Sequence, residues 1–199
     1  MNVSVAPLAI KVLNWQPGAR MMIIGLAFVA VGSRAEVQAR LSIACVSVAA
    51  TSAFLLDDQA AITLAASPTS LPARRLHRVA VASIGVGLWW LVAVAVAAIR
   101  VGGFPFTGRA LQLGMLVAVA LAASAVAARV GDRTSGGIAG AACCMVVYAT
   151  TYLPPRRWRP LPSHPDAPGA TPQHLVALAS ALAVLAYMSR DPAARARRY

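Results

Sequence analysis

Charge is scarce in this chain, and acid is scarcest. Of 199 residues, 12% are Asp, Glu, Lys or Arg, and six are acidic. A soluble domain carries about 25% charged residues, so the polar surface such a domain needs is missing. Lysine is nearly absent: Lys11 is the one lysine, and the remaining fixed cations are all arginines. Lys11 follows no glycine pattern of the type G-x-x-x-x-G-K-[ST], which excludes a phosphate-binding loop of that kind in this chain. Cysteine is limited to Cys45, Cys143 and Cys144, all inside apolar runs. They read as small packing residues, and no His/Cys spacing fits a zinc site. H-E-x-x-H is also missing.

What the chain does have is apolar length. Hydrophobic residues make up 59%, and the mean hydropathy is +0.68. Ala, Val and Leu dominate long runs, the pattern of membrane helices. The formal net charge is +12. In a soluble protein that excess would point to nucleic acid. Here the arginines sit between apolar runs, and stacking aromatics are few. Anionic lipid headgroups are the expected counter-charge, and nucleic acid is not an expected partner. The Ala, Val and Arg excess also fits a GC-rich bacterial genome.

Six spans are predicted, giving an all-α polytopic membrane protein built as one domain over 1–199. Residues 1–19 place Leu8, Val12 and Trp15 at helical spacing, which predicts an interfacial helix ended by Pro17 and Gly18. The runs that follow are Met21 to Gly32, Leu41 to Leu56, Val79 to Ile99, Ala110 to Ala128, Gly136 to Leu153 and Leu175 to Met188. The first is short for a span, and Arg20 and Arg34 are placed to snorkel at its ends. "AVG" before Ser33 resembles a leader cleavage site, but the next apolar run follows closely, which favours a retained helix. No Asp, Glu, Lys, Arg or His falls inside these runs. Catalysis within the membrane needs such groups, so an intramembrane enzyme is disfavoured. The serines of the runs have no histidine beside them to act as a base.

Eleven Lys and Arg residues fall in segments on the side of the N-terminus, and seven fall opposite. The positive-inside rule then predicts cytoplasmic N- and C-termini in a bacterial plasma membrane. The richest charge pattern is 57–78, "DDQAAITLAASPTSLPARRLHR". Asp57 and Asp58 are placed to cap a helix that starts at Gln59. That helix would show Ile62 and Leu64, and Pro68 would stop it. Arg74, Arg75 and Arg78 then lead into the third span. A short apolar helix outside the bilayer needs a cover, either headgroups or a groove on a protein partner.

That segment, together with "GDRTSGGIAG", "YLPPRRWRPLP" and "SRDPAARARR", resembles the permease subunits of bacterial ABC transporters of the ABC-2 type, of the small actinobacterial kind. The resemblance implies six membrane helices, a second permease subunit (a copy or a paralogue) and separate cytoplasmic ATPase subunits that hold the ATP and Mg. No cofactor is expected in this chain. It implies a coupling helix between spans two and three, so that Asp57, Asp58, Gln59, Ile62, Leu64, Pro68, Arg74, Arg75 and Arg78 become the expected ATPase-docking residues. It also implies re-entrant helices on the outer side within 153–174, where the prolines of this sequence depart from the pattern. Export of an amphipathic or hydrophobic cargo is the implied function. The alternative is a substrate-binding membrane subunit of an energy-coupling-factor importer, which meets its partners through small-residue helix faces.

Overall fold

The structure is a computed structural model, and it describes residues 15–33, 36–54, 71–101, 106–130, 136–152 and 170–188. At 15–17, 71–75, 77, 106, 152 and 170 only the backbone is described. These residues form six helices: α1 Trp15–Val31, α2 Val37–Ala53, α3 Leu71–Val101, α4 Phe106–Val130, α5 Gly136–Tyr152 and α6 Ala170–Met188. Among the described residues there are no strands.

Five of these helices begin earlier than their apolar runs, and in α1 and α3 a proline stands in the added turn. Pro17 was expected to end a helix; instead it lies in the first turn of α1. Proline lacks an N–H, but the first-turn donors have no partner in the helix anyway. Pro72 lies likewise in the first turn of α3. The basic stretch that contains Arg74, Arg75 and Arg78 is therefore helical and continuous with the third apolar run, which was expected to start only at Val79.

Contacts between helices fix their directions. A Cβ placed on Gly25 would stand 3.5 Å from Ala44 Cβ, and one on Gly18 would stand 3.7 Å from Thr51, so α1 and α2 are antiparallel. Trp89 Nε1 donates to the Met22 carbonyl at 2.9 Å, and Arg100 Nη1 donates to the Gly32 carbonyl at 3.2 Å. Hence α3 runs parallel to α1. Arg109 meets Ser42 near the start of both helices, and Ser124 Oγ donates to the Ala53 carbonyl at 3.1 Å, so α4 runs parallel to α2. Cys144 lies 4.0 Å from the Val46 carbonyl, and Gly140 sits against Ala53; α5 runs opposite. Arg129 Nη1 donates to the carbonyls of Tyr187 and Met188 at 3.3 and 3.2 Å, so α6 is parallel to α4.

The bundle therefore alternates up and down. Its proximal end gathers Trp15, Ala53, Leu71, Val130, Gly136 and Met188. Its distal end gathers Val31, Val37, Val101, Phe106, Tyr152 and Ala170. The centre is α2, which packs against α1, α3, α4 and α5; α4 packs against α2, α5 and α6. Leu41, Val48 and Leu116 are fully buried between them. Both outer helices are largely unburied. Ile84, Leu88, Leu91 and Ile99 of α3 and Leu175, Val176 and Leu182 of α6 face outward.

Three helices are long and apolar enough to cross a membrane: Arg78–Val101, Thr107–Val130 and Thr171–Met188. Six were expected. The apolar parts of the others, Gly18–Val31, Val37–Ala53 and Gly136–Thr151, are shorter. At 17 residues, α2 is about 25 Å long, less than the roughly 30 Å of a hydrocarbon core. It also carries Ser42, Ser47, Thr51 and Ser52, whose hydroxyls donate to carbonyls three or four residues back at 2.6–3.0 Å. That local pairing satisfies them inside a helix and lets a fairly polar helix occupy the centre. The three long apolar helices and the outward apolar surface suggest a membrane protein.

Candidate functional site

A cluster of buried polar side chains lies between the two central helices, near the distal end. Arg109 is the fourth residue of α4 and is 4% exposed. Gln112 follows one turn later on the same face and is 6% exposed. Across the interface is Ser42 of α2, 4% exposed, and Cys45 lies one turn deeper, within electrostatic reach of Arg109. Arg109 Nη1 donates to Ser42 Oγ at 2.7 Å and to Gln112 Oε1 at 3.1 Å. Ser42 in turn donates its own proton to the Gln38 carbonyl at 3.0 Å.

This arrangement is incomplete as a home for a cation. Taking a charge out of water costs several kcal/mol in practice unless a counter-charge and further hydrogen bonds offset it. Here the partners are neutral. The one acidic side chain among the described residues, Glu36, is held by Arg40 at 2.8 Å on the outside of α2. There the Arg40 guanidinium, by hydrogen bond first and by charge second, holds the Glu36 carboxyl below its ordinary range. Arg109 Nε is buried with no hydrogen-bond partner. Both bonds that Arg109 makes leave from Nη1. The Nε–Nη2 edge, which grips an oxoanion side-on, takes part in neither.

Comparison of the chain with protein-family models, with curated proteins and with solved structures finds no match. The site must be judged by its own chemistry. A cationic fork flanked by a hydroxyl and an amide is suited to holding an anion. Nucleophilic catalysis is poorly served, since Ser42 receives a proton bond from a cation and gives its own to a backbone carbonyl; neither partner is a base.

The residues expected from sequence to dock an ATPase lie elsewhere. Asp57, Asp58, Gln59, Ile62, Leu64 and Pro68 fall outside the described residues. The backbone of Arg74 and Arg75 is in the opening turns of α3, and Arg78 is half-buried one turn further on. These three belong to the proximal end, the opposite end from Arg109. The interfacial helix expected over 1–19 is described only from Trp15, where α1 begins, and 153–169 of the expected outer loop also lies outside the described residues.

Sequence reasoning assigned Arg109 to a loop, because the apolar run begins at Ala110. Helix α4 begins at Phe106, so Arg109 is inside it. A usable signal was present. Gln112 is the one amide side chain within that run, and it stands three residues from Arg109, a spacing that puts both on one helical face.

Proposed function

We propose that the chain is the membrane-spanning permease subunit of an ATP-driven exporter of the ABC-2 type. All six helices cross the bilayer, the three short ones with the help of flanking arginines such as Arg20 and Arg40. The observation that carries this reading is topological. The alternation of helix directions leaves the connection between α2 and α3 at the proximal end, together with the first and last described residues. With that end in the cytoplasm, the chain leaves α2 and enters α3 on the side of a cytoplasmic ATPase. The continuity of α3 supports the same reading: one helix of 31 residues runs from the basic turn into the apolar segment. A push on the connection would pass along it without a joint. ATP binding on the partner would rock the paired permease subunits as rigid bodies, and an amphipathic or hydrophobic cargo would leave between them.

The test is recovery of ATPase with the tagged chain, read as ATP hydrolysis in the purified complex. The double substitution Arg74→Glu and Arg75→Glu reverses the charge at the base of α3 and is expected to lower recovered activity about tenfold, equivalent to about 1.4 kcal/mol of attachment. Equal recovery from the native and substituted chains contradicts the docking role.

One observation favours the importer alternative. Helix α6 turns Ala179, Ser180, Ala183 and Ala186 outward, a small-residue face of the sort through which helices pair in lipid. Leu at Ala179 and Ala183 would block partner recovery in that case, and the charge reversal at Arg74 and Arg75 would not.

A further inference from the structure

We propose that Arg109, Ser42 and Gln112 form a specific site for a phosphate-type oxoanion at the distal end of the bundle. The inference needs α4 to stand in a membrane; it does not need the chain to transport anything.

Three observations converge. Arg109 is as buried as the apolar core, yet its hydrogen bonds go only to a serine hydroxyl and a glutamine carbonyl. Neither brings the negative charge that a buried guanidinium requires. Nε is buried without any partner, and it belongs to the edge best shaped to hold two oxygens of one oxoanion. Ser42 and Gln112 bind Nη1 and so fix the plane of the fork before a ligand arrives. A fork held this way loses little rotamer freedom on binding.

Depth identifies the source. Arg109 is three residues inside the start of α4, about 5 Å along the axis. Ser42 is five residues inside α2, about 8 Å. The cluster thus lies at the boundary between headgroups and acyl chains, the level at which basic pockets between helices hold acidic lipid headgroups. A free phosphate reaching the distal end would meet the same chemistry.

The experiment uses the full chain, purified in a neutral detergent. Phosphatidylglycerol, phosphatidylcholine and inorganic phosphate are added separately. Thermal unfolding and native mass spectrometry are the readouts. Phosphatidylglycerol is expected to raise the unfolding midpoint by about 4 °C, near what a ligand at tenfold over its Kd produces, with one lipid retained per chain. Phosphatidylcholine is expected to do neither. A shift with inorganic phosphate alone assigns the site to a free anion rather than a headgroup, and still supports it. Arg109→Lys keeps the charge and removes the fork, so it should need about tenfold more lipid for the same shift. Arg109→Gln should abolish the shift. Arg20→Gln, at an exposed arginine of the opposite end, should leave it unchanged. Native mass spectrometry of the unaltered chain tests the site even if the Arg109 variants fold poorly. The proposal is overturned if no anion binds the native chain, or if Arg109→Gln responds as the native chain does. Asp166 belongs to the sequence between α5 and α6 and lies outside the described residues; the proposal is also overturned if Asp166→Asn and Arg109→Gln remove one shared increment of stability, which would mean that a carboxylate of the chain itself supplies the charge.

Discussion

At the scale of single residues, absence of side chain is decisive at one place. Gly140 of α5 sits where α2, α4 and α5 converge. A Cβ there would run into the Ala120 carbonyl oxygen, stand 2.7 Å from Ala53 Cβ and stand 3.1 Å from Ser124 Cβ. All three obstacles are backbone or Cβ atoms on packed helices, so none can swing aside. The close approach also brings Ser124 Oγ to the Ala53 carbonyl. Without a strong hydrophobic drive between helices in lipid, such small-residue contacts carry much of the association. Gly140→Val is expected to lower stability by about 2–3 kcal/mol, the cost of forcing extra methyl groups into a packed interface. Unfolding in detergent by a graded denaturant would register it, and an unchanged midpoint would show that the three helices do not meet as described. Nothing in the sequence singles out Gly140 among fourteen glycines. It became visible only once α2 and α4 were in place on either side.

Among the helices, arginine closes helix ends as well as separating the apolar runs. The last carbonyls of a helix lack intrahelical donors, and in a membrane they need protein partners. Arg100 of α3 donates to the carbonyls of Ala30 and Gly32 at the end of α1. Arg40 of α2 reaches the Phe28 carbonyl at 3.4 Å, its guanidinium 4.9 Å from the Phe28 ring centre. Arg129 of α4 closes α6 through Tyr187 and Met188 and lies 5.9 Å from the Tyr187 ring centre. A cation at a helix C-terminus is also favoured by the helix dipole. Loss of Arg129 should therefore act locally. Arg129→Ala is expected to weaken the last turn of α6 by about 1 kcal/mol, seen as faster hydrogen exchange at Tyr187 and Met188 while the middle of α4 keeps its protection. Uniform acceleration through the bundle would show that Arg129 does more than cap. The order of the helices and their C-terminal ends could be read from hydropathy to within a few residues, because apolar runs broken by Pro, Gly and Arg have few other readings; the starts of α1 and α3 lie six and eight residues before their runs. Which arginine closes which helix could not be read, since it depends on neighbours from 12 to 70 residues away in the chain.

For the molecule as a whole, these caps alter how the charge pattern should be weighed. Seven arginines assigned to the distal side weigh against a strong orientation. In the structure Arg40, Arg100 and Arg109 are bound to protein groups at that end. Bound in this way, they oppose the positive-inside rule less than their number implies. Orientation with the proximal end in the cytoplasm is the expected outcome. Single cysteines at Ser67 and at Ser163, in a chain with Cys45, Cys143 and Cys144 replaced by Ala, would report it: an impermeant thiol reagent applied to intact cells should label the second and spare the first. Neutralising Arg74, Arg75 and Arg78 together should scramble that pattern more than neutralising Arg40 and Arg100, although the second pair belongs to the described caps. Labelling at Ser67 from outside would remove the basis for a cytoplasmic docking segment.

By itself the sequence determined an all-helical chain with long apolar runs, few acids and an arginine excess between the runs. Those properties are local: hydropathy, helical spacing and proline act over one or two turns, so no partner helix is needed to read them. The tertiary structure alone decided that α2, one of the shorter and more polar helices, lies at the centre, that Gly140 is a point of contact, and that Arg109 is enclosed rather than solvated. Each of those depends on what lies across an interface. Burial gives a side chain its cost and its chemistry, and burial is a property of two surfaces that the order of residues in one helix does not contain.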